Sequence, residues 1–150
     1  MDEIEARLNA MNWTYADQDD RAFQELCRRV ANVGIHEELR TYTEIVAGLV
    51  FQLENVEQGE PFEIDTHHWQ ERDRAILGSF LGRLCAETYR RGRFMGSALV
   101  VGSQTRQPTR GFWDLMIEVQ ALEGRNQQAR DEFWLAQVHR AYSWYQANDW

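Results

Sequence analysis

The chain has 150 residues, a formal net charge of -8, two cysteines and 43% hydrophobic residues. This is the make-up of one globular domain, residues 1–150, large enough to bury a core without disulfides, and it argues against disorder. No run approaches the ~20 apolar residues that span a bilayer, and residues 1–5 are acidic where a secretory leader is basic and then apolar. A cytoplasmic protein without membrane contact is therefore expected.

All 16 basic residues are arginine and the chain is lysine-free. Codon bias is one origin of such a composition; a demand for planar, permanently charged donors to carboxylate or phosphate is another. The charge is also segregated. Residues 1–65 carry 15 acids against five arginines, whereas residues 66–150 carry nine acids against 11 arginines. Mutual attraction of the halves, a solvated acidic face and an acidic docking surface are the three consequences to separate.

In chain order, Ile4, Leu8 and Met11 predict a short first helix over about residues 2–11. Asp17 is the expected cap of a second helix running to about Asn32, with Asp19 and Asp20 in its first turn, where carboxylates suit the helix dipole. Phe23, Leu26, Cys27, Val30 and Val33 recur at three- and four-residue steps and form its buried stripe. Thr41 and Glu44 make a capping-box pattern, and Ile45, Val46, Leu49, Val50 and Leu53 are read as the apolar face of a third helix. The acidic stretch 54–65 is a loop, within which residues 62–64 read as a short strand.

A fourth helix is expected from about Thr66 to Arg91, with Gly92 at its C-terminal cap and Ile76, Leu77, Phe80, Leu81, Leu84, Cys85 and Thr88 on its apolar face. Gly78 and Gly82, one turn apart, predict the close approach of another backbone. Residues 98–101 read as a buried strand paired with residues 62–64. A polar loop leads to a fifth helix over about residues 112–123, ended by Gly124, and a sixth over about 128–147. The expected fold class is mainly α (α+β), with about six helices around a small two-stranded sheet. Residues 67–115 permit a winged-helix-like reading with residues 104–110 as the wing.

The sixth helix carries one stripe of Trp134, Val138, Ala141 and Tyr145 and a second of Phe133, Gln137, Arg140 and Trp144, roughly 90° apart. The second stripe either packs on the amino-terminal helices or forms a partner-binding face of Arg140, Trp144 and the nearby Trp150, since Trp, Tyr and Arg are enriched at interface hot spots.

Residues 88–110 hold Arg90, Arg91, Arg93, Arg106 and Arg110 and no acid. With Thr109 capping the fifth helix, free N–H groups and guanidinium groups would share a region suited to phosphate or carboxylate. The competing reading pairs these arginines internally with the acidic loop 54–65. Asp65, His67, His68 and Glu71 are the densest metal-capable set, but they lack a second ligand cluster and no metal is assigned. His36 and His139 are read as surface residues. Cys27 and Cys85 fall on helix faces as reduced core residues. Ser97 precedes a strand and so cannot form a strand-to-helix nucleophile elbow, and without lysine there is no phosphate-binding Walker loop. No catalytic residue and no cofactor is assigned.

The sequence therefore points to a non-enzymatic binding protein that engages a protein partner through its acidic half or its aromatic last helix. The alternative is nucleic-acid or nucleotide binding through the arginine cluster. A metal-dependent hydrolase built on Asp65, His67 and His68 is the third class, with the weakest motif.

Overall fold

In the computed structural model, which describes residues 2–150, the stripe Phe23, Leu26, Cys27, Val30 and Val33 is wholly buried. It lies on α2 (Asp20–Ile35), which follows α1 (Glu3–Ala10). The cap of α2 is Asp19 and not Asp17: its Oδ1 accepts from Ala22 N–H at 3.0 Å and its Oδ2 from Gln52 N–H at 2.7 Å. The second bond decides the matter, because only the buried Asp19 can also anchor the chain beyond the third helix. Asp17 instead sits in the 3-10 turn Ala16–Gln18 and approaches Arg83.

The Thr41 capping box is formed as expected, with Glu44 accepting from Thr41 N–H and Thr41 accepting from Glu44 N–H. The helix it opens, α3 (Tyr42–Val46), is shorter than the apolar pattern predicts. Gly48, at φ 74°, turns the chain, and from there the burial alternates: Leu49, Phe51 and Leu53 point inward while Val50 is exposed. A period of two is that of a strand, and β2 (Val50–Phe51) pairs antiparallel with β3 (Phe62–Glu63). The expected pairing of 62–64 with 98–101 is thus incorrect. The partner of β4 (Val100–Val101) is β1 (Arg40–Thr41), in parallel register, Arg40 with Val100 and Thr41 with Val101.

The fourth helix, α4 (Glu71–Gly92), buries Ile76, Leu77, Phe80, Leu81, Leu84, Cys85 and Thr88 as its spacing predicts. Fully burying side chains of this kind contributes roughly 1.5–3 kcal/mol each. It starts later than Thr66 because Asp73, accepting from Gln70 N–H at 2.9 Å, closes its first turn. Its left-handed cap is Arg93, φ 58°, with Gly92 still helical. The two glycines of its middle do not meet a backbone. A Cβ on Gly82 would lie 2.2 Å from the ring of Trp13, whereas one on Gly78 would meet nothing within 4 Å.

Residues 94–101 are buried without exception, first as the 3-10 turn Gly96–Leu99 and then as β4. Helices α2, α4 and α6 (Gln127–Ala147) enclose this segment. Thr88 Oγ1 donates to Phe94 O at 2.9 Å and accepts from Gly96 N–H at 2.9 Å; Gln137 accepts from Met95 N–H at 2.8 Å; Trp134 Nε1 donates to Ala98 O at 2.8 Å. Between β4 and α5 (Arg110–Glu118) residues 102–109 form turns and contribute no strand pair, so residues 104–110 are not a wing. The fifth helix stops before Gly124, with Gln120 taking the left-handed conformation at φ 58°.

Both stripes of α6 find cover within the chain. Val138, Ala141 and Tyr145 are buried, with Tyr145 against Gly34 of α2. Phe133 packs on Phe112 and Trp113 of α5, Gln137 is buried and Trp144 rests on Phe94 and Trp150, so the second stripe meets α5 and the chain after α4 more than the amino-terminal helices.

Replacing Thr88 by Val preserves its shape but leaves the Phe94 carbonyl and the Gly96 N–H without this partner. We expect a loss of roughly 2–4 kcal/mol in urea unfolding, with the Ser variant recovering most of it.

Candidate functional site

The two strands β1 and β4 run parallel, so the residues that follow them emerge at the same edge. Tyr42 and Thr43 open α3 there, and Gly102 and Ser103 lead towards the start of α5. Opposite this edge α4 presents Arg74, Leu77, Gly78, Leu81 and Gly82, which share a helix face by their three- and four-residue steps. Between these walls lies an open cleft of about 540 Å³, within the range of small-molecule sites.

Leu77, Leu81, Phe112 and Leu115 supply apolar wall, Tyr42 and Trp69 supply aromatic rings, and Thr41, Thr43, Ser97, Ser103 and Thr109 supply hydroxyls. Its charged residues are Arg74 and Arg110; no acid lines it. Arg74 makes no ion pair among the described residues. Arg110 has a 93% exposed side chain and pairs with Asp114, 3.4 Å away and one turn on.

The start of α5 is held from across the cleft. Thr109 occupies the cap position but its hydroxyl does not cap: Tyr42 OH accepts from Thr109 N–H at 3.0 Å and from Thr109 Oγ1 at 3.2 Å. The N–H groups of Arg110 and Gly111, in the first turn, carry no backbone hydrogen bond and receive no cap from the Thr109 side chain. Trp69 is steadied by a 3.4 Å bond from Nε1 to Thr43 Oγ1. Gly111, like Gly78, has nothing within 4 Å of the place where a Cβ would stand, so neither of these positions fills the cleft.

The five arginines of residues 88–110 divide into two groups. Arg90 and Arg91 both bind Glu87 on their own helix, Arg91 at 3.3 Å and with its guanidinium 4.3 Å above the Trp150 ring. Arg93 reaches Glu5 at 3.2 Å and Asp2 at 4.0 Å. The Glu5 N–H, with Tyr89 and Arg93 assisting, holds the Asp2 carboxyl below its usual range. These three are matched by nearby acids, but not by the loop 54–65, whose Glu57 pairs with Arg72. Arg106 and Arg110 lie apart from them near the start of α5, Arg110 paired with Asp114 and Arg106 without an ion pair among the described residues. Arg106 is exposed beside α3, where Thr41 N–H and hydroxyl lower the Glu44 carboxyl and Arg106 adds to the effect.

Of the residues expected at a partner-binding face, Trp144 and Trp150 meet edge to face at 6.5 Å between ring centroids and are half-buried, while Arg140 is exposed. Asp65 accepts from His67 N–H and lies 3.5 Å from His68, with its carboxyl held down first by the His67 bond. Glu71 starts α4, so it and His67 do not share a helical turn. No group of three or more His, Cys, Asp or Glu among the described residues is placed to hold a metal ion. His36 and His139 are exposed, and Cys27 and Cys85 are buried free thiols, as expected.

Arg74, Tyr42 and Trp69 are the cleft residues that sequence reasoning did not single out. The available signal was the Arg74, Leu77, Gly78, Leu81, Gly82 spacing, which one reads as core packing unless the open space over Gly78 is known. Comparison with known proteins gives no match: no family model, no curated protein and no solved structure is significantly similar to this chain.

Burial pushes the Cys27 thiol up to about 12 and raises that of Cys85 as well. Native protein should leave both thiols unreactive towards DTNB at neutral pH, and denaturant should release two. Below the ordinary thiol range folded and unfolded chains both keep these protons. As pH rises from there towards 12 the unfolded chain loses them first, and stability measured by urea titration should fall, by at most about 1.4 kcal/mol per pH unit per thiol.

Proposed function

We propose that the protein is a binding protein that takes an anionic ligand with an apolar or aromatic body into the cleft between α3, α4 and α5. The observation that carries this reading is the lining. In a chain with 24 acids, the cleft has two arginines and not one carboxylate. A carboxylate or phosphate there meets Arg74 and Arg110 without like-charge repulsion, and a guanidinium can bind either group through two hydrogen bonds. The apolar walls and the rings of Tyr42 and Trp69 suit the body of such a ligand. Gly78 and Gly111 keep the space open on both walls. This is the nucleotide-binding alternative of the sequence, moved from the five-arginine cluster to Arg74 and Arg110, in a cytoplasmic setting where the two thiols stay reduced.

A second reading retains the protein partner. Glu54, Glu60 and Glu63 are exposed and make no ion pair among the described residues, which supports engagement of a basic partner by the acidic loop. Charge reversal at these three positions would then abolish association with that partner and leave ligand binding intact.

The cleft reading is tested by calorimetric titration with a panel of nucleotides and aromatic carboxylates. Replacing Arg74 or Arg110 by Ala should weaken binding roughly tenfold or more, since a hydrogen bond to a charged group contributes about 1.5–3 kcal/mol. Gly78→Leu should abolish binding while raising stability by about 0.5–1 kcal/mol, because Leu is the better helix former at an exposed position. Binding that survives Gly78→Leu and both arginine changes would remove the cleft from consideration.

A further inference from the structure

A second depression, of about 410 Å³, lies on the far side of the Thr109–Arg110 ridge, and Thr109 and Arg110 line both it and the cleft. Its lining is polar where that of the cleft is apolar: Thr105, Gln107 and Gln127 contribute donors, and Arg130 of α6 supplies a second guanidinium. The Arg130 Nε is buried and has no hydrogen-bond partner. Its guanidinium carbon stands 5.4 Å from the ring centroid of Trp113, and that ring is itself pinned by a 3.2 Å bond from Nε1 to Pro108 O. An arginine held on a fixed ring, making no ion pair among the described residues, is arranged to meet an anion. Asp114 is the one carboxylate in the depression, and it is already matched by Arg110.

We infer that the ligand of the cleft is a nucleoside di- or triphosphate, with its base and sugar in the cleft and its phosphate chain crossing the Thr109–Arg110 ridge to Arg130. This rests on the cleft reading above and extends it. A single phosphate is satisfied by Arg74, Arg110 and the start of α5, and gains nothing from Arg130. A chain of two or three phosphates is long enough to leave the cleft, and the ridge offers it Arg110 throughout. Arg74 and Arg130 oppose its charge directly, and Arg110 does so by exchanging its exposed contact with Asp114 for a phosphate oxygen. The base distinguishes this ligand from a bare polyphosphate, because the apolar wall of Leu77, Leu81 and Phe112 has no role in holding phosphate alone.

Calorimetric titration of the full chain with AMP, ADP, ATP and inorganic tripolyphosphate tests this. ATP should bind at least about tenfold more tightly than AMP, the increment expected of one added charge-assisted contact, with tripolyphosphate weaker than ATP. Arg130→Gln, which keeps most of the stem over Trp113, should bring ATP to within about threefold of AMP and leave AMP unchanged; Arg130→Ala should do the same, and a thermal melt of each variant shows whether it remains folded. Equal affinity for AMP and ATP, with AMP binding abolished by Gly78→Leu, overturns the extension and keeps the cleft. Tripolyphosphate binding as tightly as ATP overturns the nucleoside assignment. Failure of AMP and ATP alike to bind at millimolar concentration overturns the nucleotide, and if the aromatic carboxylates fail as well, the cleft reading falls with it.

Discussion

A stretch of eight consecutive buried residues, 94–101, runs through the middle of this protein without forming an α-helix. Buried backbone cannot turn to water, so each N–H and C=O must find a partner inside. A long helix would satisfy itself; this segment cannot. Thr88 serves Phe94 and Gly96 from one helix, Gln137 and Trp134 serve Met95 and Ala98 from another, and β1 lies alongside Val100 and Val101. The orientations of α4 and α6 follow from these bonds as much as from apolar contact. Hydrophobic burial has no direction, whereas a hydrogen bond at 2.8 Å fixes which turn of the helix faces the segment.

The same segment places the cleft. Because β4 leaves the core parallel to β1, two chain exits open side by side, and the starts of α3 and α5 face the outer side of α4. Tyr42 then spans the gap to Thr109 and ties the two starts together. The capping box occupies the Thr41 and Glu44 side chains on α3, while Thr109 is drawn away from the cap of α5. One helix start is therefore closed locally and the other is left open towards the cleft.

Charge follows a comparable division of labour. Most arginines are spent on acids within a turn or on the chain's own edges, as with Arg28 and Arg29 on Glu25, whose carboxyl they hold down, and Arg83 on Asp20. Such exposed pairs contribute little to stability, about 0–1 kcal/mol each. Their larger effect is on the field: local matching offsets Arg90, Arg91, Arg93 and Arg110 in the surface potential, whereas Arg74, Arg106 and Arg130 are among the arginines that make no ion pair among the described residues. The acidic loop 54–65 is largely unmatched, so the segregation evident in composition persists on the folded surface.

The sequence by itself determined the helical stripes, the capping box, the burial of both thiols and the mainly α class, because these depend on spacing between residues a few positions apart. It misplaced the third helix, where the apolar residues after Gly48 satisfy helix and strand spacing together, and the cap of α2, where three aspartates compete and only a long-range bond to Gln52 chooses among them. Strand partners, the division of the arginines and the cleft were decided by tertiary structure alone. Gly78 and Gly82 show why: two identical residues on one face of one helix, of which one receives the Trp13 ring and the other opens on the cleft. Local sequence sets which face a residue occupies, but what stands opposite that face depends on chain brought from many residues away.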